Sequence, residues 1–252
     1  MTVRAPRAIR RKPPDPKYMT FVEHLQELRR RLTISVVAIG VGAVVGWFLA
    51  GRVLHILDRP LCSALGKNHC TIYVDTVYGA FTLQLKVAII IGFMIALPIT
   101  IYQIWQFIAP AFGSGTNFWA PVWMLSALLL FAAGATTGYL VIPLALNFFA
   151  KFQGSTGTEI LPFASQYISF LVLILLIFGI CYELPLVLVS LTATGITSSR
   201  ALASKRLYFF FGIFIVATVI TPGADPISPL ILGGILYFLY EAAMIVSRLL
   251  GK

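Results

Sequence analysis

Residues 164–193 read ASQYISFLVLILLIFGICYELPLVLVSLTA, a run of 30 residues whose only charged residue is Glu183. A helix of about 20 apolar residues crosses the roughly 30 Å hydrocarbon core of a bilayer, so this run predicts a membrane span. The composition of the chain agrees, because 59% of the 252 residues are hydrophobic and 11% are charged. In a soluble domain about 45–50% of the residues are hydrophobic and about 25% are charged. These proportions exclude a water-soluble enzyme, an ordinary nucleic-acid-binding domain and a disordered chain.

Similar apolar stretches elsewhere in the chain predict an all-α polytopic membrane protein with six transmembrane helices in one domain, residues 18–252. The spans are placed at about 32–50, 83–108, 119–142, 164–193, 207–221 and 230–246. Residues 1–17 are rich in Pro and Arg and are predicted to be a disordered basic tail. The last two spans hold roughly 15–17 residues, which as helices measure about 22–26 Å. We therefore expect two short final helices, unless their true ends lie a few residues further out.

The distribution of charge predicts the orientation. Residues 1–31 carry nine basic and three acidic residues, and so hold +6 of the net charge of +10. Basic residues beside membrane spans mark the cytoplasmic side, so the N-terminus is placed inside, and six spans return the C-terminus to the same side. Residues 109–118 form an inner turn without any charge and are the exception. A basic nucleic-acid-binding arm is not expected in front of a membrane domain.

Glu183 is the first candidate functional residue, because a carboxylate inside a span is costly unless it is protonated or paired. Pro185 lacks a backbone donor, so a kink and a polar notch are expected on the same turn. Three interpretations are open for Glu183. It could form a docking notch for a polar residue on a partner helix, serve as a proton or ion relay, or be a structural carboxylate satisfied by a neighbouring Ser, Thr or Tyr.

Glu27 is the second candidate and lies where an amphipathic helical segment reaches the inner face. Arg31 follows four residues later, which is favourable spacing for an ion pair on a helix. One interpretation is a solvated surface pair. The other is that Glu27 faces a cytoplasmic ligand that carries arginines, because carboxylate–guanidinium pairing is strong and directional.

The remaining motifs argue against catalysis. No nucleophile triad, phosphate-binding loop or metal-ligand cluster appears in the sequence, so we expect no enzyme, cofactor or metal. Cys62 and Cys70 lie eight residues apart in the first outer loop, and an oxidising compartment would permit a disulfide between them, the alternative being two free thiols. Cys181 lies in an apolar run and is expected to be a small core residue.

Several sequence blocks together resemble the TatC family, the multispanning receptors of the twin-arginine protein translocase. The most specific are FVEHLQELRRRL at 21–32 and YQIWQFIAPA at 102–111. Other matching blocks are Leu97-Pro98, Tyr182-Glu183-Leu184-Pro185, Lys205-Arg206, Thr221-Pro222, Asp225-Pro226 and the segment from Glu241 to Arg248. The blocks occur in order and at fitting spacing over about residues 18–250.

This resemblance implies a curved, cupped bundle in the plasma membrane that takes part in translocating folded proteins, driven by the proton-motive force. The expected partners are twin-arginine signal peptides at the cytoplasmic face, TatB- and TatA-like single-span proteins, membrane lipid and other copies of the chain. The residues that match signal-binding positions of the family are Glu27, Arg29 and Phe107. Glu183 matches the family position associated with partner-helix docking, and Pro185 and Thr221 are expected to share this role, Thr221 at a helix-end position of weaker weight. Pro60 and Asp225 match loop positions of weaker weight.

One position departs from the family pattern. After the Ala-Pro of the second block, the family commonly has an acidic residue, and the corresponding position here is Thr116. A threonine hydroxyl is neutral and cannot form a bidentate charged pair with arginine. We therefore expect Glu27 and Glu23 to carry more of the recognition, or the affinity for the signal peptide to be lower.

Two other classes of protein remain as alternatives. The first is a small-molecule or ion transporter that uses Glu183 as its coupling carboxylate. The second is a structural membrane scaffold. Co-purification of single-span amphipathic partners would separate both from a protein translocase.

Overall fold

The computed structural model describes residues 21–64, 73–74, 76–112, 120–156, 163–221 and 226–249. Within these ranges the chain is helical apart from turns and one isolated bridge between Tyr73 and Phe163, which confirms the all-α class. The helices are α1 (Phe21–Leu57), α2 (Arg59–Ala64), α3 (Gly79–Ile108), α4 (Ala120–Thr156), α5 (Ala164–Cys181), α6 (Leu184–Ala193), α7 (Ser199–Ser204), α8 (Arg206–Ile220) and α9 (Ile227–Leu249). A short 3₁₀ turn, Ala109–Phe112, follows α3.

In the described part of the chain, five helical segments are long and apolar enough to cross a bilayer, and α8 is a shorter apolar helix. The prediction that both final helices are short is half wrong. Helix α8 has 15 residues, or about 22 Å, but α9 has 23 residues, or about 35 Å. Hydropathy placed the ends of α9 too far in, because Ser228 and Pro229 fit a first helical turn and Arg248 is favourable in a last turn.

Helix α4 also differs from its predicted span of 119–142. It continues to Thr156 through Pro143, so most of the described part of the predicted outer loop 143–163 is helix. A proline inside a transmembrane helix is tolerated where neighbouring groups take up the freed carbonyl. The other predicted loops contain the two short helices α2 and α7.

Helices α1 and α3 run antiparallel and approach closely through glycines. A Cβ built on Gly42 would lie 2.7 Å from the carbonyl oxygen of Gly92, and one on Gly46 would meet the carbonyl of Ala88. Such separations leave no room for a side chain. The two backbones are therefore in contact, and their register along each other is set by these pairs.

The other helices extend this pair into a row. Helix α3 packs on α4 and α5, α4 packs on α5, α6 packs on α9, and α9 packs on α8. Most of the fully buried large side chains are on α5 and α9, and Ile142 on α4 joins them. Those on α5 and α9 are Ile168, Leu171, Ile174, Phe178, Leu232, Tyr240 and Met244. Helices α1 and α8 stand at the ends of the row. The six-span count and the cupped shape stay predictions.

Hydrogen bonds tie the row at the end where α1 finishes. Tyr139 and Tyr167 donate their hydroxyls to the carbonyls of Ile56 and Leu57 at 2.9 and 2.7 Å. The last carbonyls of a helix have no partner within it, so these bonds cap α1 from α4 and α5. Pro60 is buried directly after this cap, at the start of α2.

Candidate functional site

The opposite end of the α1–α3 pair brings together the two most specific sequence blocks. Glu27 is fifteen residues before Gly42, and Phe107 is fifteen residues after Gly92, so the antiparallel register places them at the same level. The ring of His24, one turn before Glu27, stacks on Phe107 with 4.5 Å between centroids and 23° between planes. The first turns of α1 and the last turn of α3 therefore form one surface.

Glu27 is paired unequally on this surface. Arg31 donates from Nε, at 3.1 Å, and from Nη2 to the same oxygen, Oε1. The other oxygen, Oε2, is buried and has no hydrogen-bond partner among the residues that the structure describes. Both side chains are 19% exposed, less than a freely solvated pair would be. The carboxylate thus retains an acceptor that is covered while Arg31 stays paired to Oε1.

The neighbouring predicted residues divide between the two sides of α1. Glu23 is one turn before Glu27 and shares its face, since residues four apart on a helix are neighbours. Arg29 is two residues from Glu27, which turns its side chain about 200° around the helix. Its side chain is exposed. The structure therefore groups Glu23, Glu27 and Phe107 but does not bring Arg29 to them.

Some predicted residues lie outside the described part of the chain, namely Thr116, Asp225, Cys70 and the tail 1–17. Cys62 lies in α2 and is disulfide-bonded. Because Cys70 is not described, the pairing of these two cysteines stays a prediction. Cys181 is a free, half-buried thiol at the end of α5.

Glu183 stands where the predicted fourth span is interrupted. Helix α5 ends at Cys181 and α6 begins at Leu184, with Pro185 in its first turn. The Glu183 carboxylate is half-buried and has no hydrogen bond or ion pair with any residue described by the structure. Thr137 and Tyr182, the hydroxyl residues beside this break, bond each other at 2.8 Å. A carboxylate satisfied by neighbouring hydroxyls is therefore not what the structure shows.

Thr221 and Glu241 are engaged elsewhere. The buried hydroxyl of Thr221 donates to the carbonyl of Ala217 in its own helix at 2.6 Å. Glu241 accepts from Arg206 at 2.9 Å and from Tyr237 at 3.1 Å. No bond joins either residue to Glu183 within the described residues, so no relay from Glu183 is visible in that part of the chain.

Two features of the site were not predicted from the sequence. His24 was not singled out, although it lies three residues before Glu27 and so on the same face. The stacking of His24 on Phe107 depends on how α1 and α3 pack, which local spacing does not reveal. The Glu27–Arg31 pair was predicted from its spacing, but not that both donors use one oxygen.

The fold and the site together define a class of protein. Several membrane-length helices stand in a row, with a carboxylate–aromatic surface at one end. Within the described residues, no three His, Cys, Asp or Glu side chains come together as a metal site requires. The chain is a multi-pass membrane protein with polar surfaces suited to binding.

Comparison with known proteins identifies the family. Residues 23–234 match the family described as Sec-independent protein translocase protein (TatC). A TatC from Frankia casuarinae is 34% identical over 241 residues, covering 92% of this chain and 66% of the relative. A TatC from Aquifex aeolicus is 34% identical over 234 residues, covering 92% and 95%. A crystal structure of the twin-arginine translocase receptor TatC superposes with a TM-score of 0.74 at 31% identity, covering 91% and 100%.

The chain belongs to the TatC family, which confirms the resemblance of its sequence blocks. It is a component of a Sec-independent, twin-arginine protein translocase, and its function lies in protein transport. The comparisons give no support to a small-molecule or ion transporter that uses Glu183.

Proposed function

We propose that this protein is the receptor that binds the twin-arginine signal peptides of folded cargo at the cytoplasmic face. The observation that carries the proposal is the surface formed by Glu27, Glu23, His24 and Phe107 at one end of α1 and α3. A guanidinium pairs most strongly with a carboxylate. Glu27 Oε2 is a buried acceptor without a partner among the described residues, and the stacked rings of His24 and Phe107 lie on the same surface. Arginine also stacks on aromatic faces, so both parts of the surface suit this ligand.

The charges fit a ligand with two arginines. Glu23 and Glu27 supply two carboxylates on one face of α1, one for each guanidinium. They take over the part that an acidic residue at Thr116 would otherwise share. Arg29 belongs to the same inner end of α1 but to its other side, so any contribution from Arg29 is separate from the carboxylate contacts.

We further propose that Glu183, with Pro185 and Thr221, docks the single-span TatB- and TatA-like subunits. The support is the half-buried Glu183 carboxylate, which lacks a partner among the described residues at a break between helices. A polar residue on an incoming helix would satisfy it. In this proposal both termini lie in the cytoplasm. Transport is driven by the proton-motive force. Several copies of the chain assemble in the plasma membrane as one receptor complex.

Photocrosslinking tests the signal-binding site. A signal peptide carrying a benzophenone group beside its two arginines is offered to inverted membrane vesicles containing the wild type, Glu27→Gln or Gln26→Ala. Gln26 is the exposed neighbour of Glu27 and serves as the control. We expect the crosslink to disappear with Glu27→Gln and to persist with Gln26→Ala. Normal crosslinking and export with Glu27→Gln would refute the site.

A further inference from the structure

We propose that Arg31 is an internal competitor of the signal peptide: its guanidinium occupies Glu27 until a ligand arginine displaces it, and it thereby limits the affinity of the site. This inference rests on the proposed function, since it concerns the same carboxylate. It assigns to Arg31 the role of a specificity-determining residue, which acts through Glu27.

The geometry of the pair carries the inference. Two N–H groups of Arg31 converge on Oε1 of Glu27, while Oε2 stays buried and without a partner among the residues described by the structure. A side-on guanidinium pair would use both oxygens, one for each N–H. While Arg31 stays in place, Oε1 of Glu27 is occupied and Oε2 is covered, so neither oxygen is open to a ligand arginine. A two-bonded contact to the ligand requires Arg31 to turn away.

The chemistry of the two competitors is the same. Arg31 presents the group that the site is proposed to bind, and it is tethered one helical turn from Glu27 with the acidic residue first, the better order for such pairs. It is therefore always available at the carboxylate. A ligand with a single, poorly oriented cation gains little binding free energy by replacing Arg31 at Glu27. A peptide that brings two arginines to Glu27 and Glu23 gains a second contact that Arg31 does not provide.

Charge acts in the same direction as competition. If a ligand guanidinium at Glu27 is taken to lie about 6 Å from the charge of Arg31, the two like charges repel. At an effective dielectric constant of roughly 40–80, removing a charge at that distance tightens binding by about 3- to 10-fold at low salt. Loss of Arg31 is thus expected to strengthen binding, whereas loss of a merely structural residue would weaken it.

The test uses the full-length protein in lipid nanodiscs and a fluorescent peptide carrying the twin-arginine motif, with anisotropy as the readout. Arg31→Gln removes the competitor, and Arg31→Lys keeps the charge but has no planar fork. Arg30→Gln removes the same charge from an exposed neighbouring position that forms no ion pair with the described residues. We expect Arg31→Gln to lower the Kd by about 3- to 10-fold, Arg30→Gln to lower it less, and Arg31→Lys to remain near the wild type.

The outcomes separate this inference from the proposed function. If Arg31→Gln binds no more tightly than Arg30→Gln, or more weakly than the wild type, the inference is wrong. Glu27→Gln is measured alongside. If Glu27→Gln loses binding while Arg31→Gln gains none, only the competitor is refuted. If Glu27→Gln binds as well as the wild type, the site itself fails, and the competitor fails with it.

Discussion

Glu183 is a single residue whose carboxylate lowers the stability of its own fold. It is half-buried at the break between α5 and α6, and no described residue donates to it. A buried polar group without a partner destabilises the protein that contains it. Retaining such a group is understandable if a donor arrives from another chain.

Replacing Glu183 by Gln, which is isosteric and neutral, should leave the stability unchanged or raise it by about 1 kcal/mol, because no internal bond is lost. The same change should reduce co-purification of the TatB-like subunit in mild detergent. Thermal unfolding and pull-down of the same preparation provide both readouts. A fall in stability with unchanged co-purification would show that Glu183 serves the fold.

At the scale of elements, the close approach of α1 and α3 positions the proposed binding surface. A Cβ on Gly92 would lie 2.6 Å from the carbonyl oxygen of Ile39, which is backbone and cannot give way. Gly40, on the same pair of helices, has open space around its Cβ position. The two glycines therefore provide a matched comparison.

We predict that Gly92→Ala destabilises the protein by about 1–3 kcal/mol through overpacking. Because the helices must separate, it should also weaken binding of the twin-arginine peptide. Gly40→Ala should be neutral or stabilising by up to about 1 kcal/mol, since alanine is the better helix former. Denaturation in detergent and peptide titration measure these effects. Equal behaviour of the two variants would contradict a packed α1–α3 contact at Gly92.

Two tyrosines, one from α4 and one from α5, cap the end of α1, and the contributions of their hydrogen bonds to stability can be compared. Tyr167 is buried and donates to Leu57, whereas the bond from Tyr139 to Ile56 is exposed to the surroundings. Tyr167→Phe should therefore cost about 1–2 kcal/mol, as expected for a buried acceptor that loses a donor. Tyr139→Phe should cost clearly less. A larger loss with Tyr139→Phe, measured by thermal unfolding, would reverse the assignment of the main cap.

At the scale of the whole molecule, the sequence predicts orientation through the +6 charge of residues 1–31. Fusing green fluorescent protein to the C-terminus should give a fluorescent membrane fraction, because this reporter folds in the cytoplasm. Alkaline phosphatase inserted between α2 and α3, in the predicted outer loop, should be active, because it requires the outer compartment. Inactive phosphatase at that position, in a fusion protein that is still inserted into the membrane, would contradict the proposed orientation.

Much of this architecture could be predicted from local sequence, and the limits have physical causes. Apolar runs located the long helices, since burial in lipid depends on composition along a segment. The ends of α4 and α9 were missed because Pro143 and Arg248 are compatible with helix and do not terminate it. Glu27 was a candidate from its place at the inner face and its spacing to Arg31, whereas Phe107 was identified through family resemblance. Their proximity depends on the Gly42–Gly92 register, a long-range contact that no local pattern specifies.

Glu27 is proposed to bind an arginine of the signal peptide, and a double-mutant cycle measures that contact. Peptide affinities are measured for the wild type and Glu27→Gln, each with the twin-arginine peptide and with peptides in which one arginine is replaced by glutamine. A charge-assisted contact predicts a coupling energy of at least about 1 kcal/mol between Glu27 and one of the two arginines. A coupling energy indistinguishable from zero for both arginines would show that Glu27 contacts neither of them.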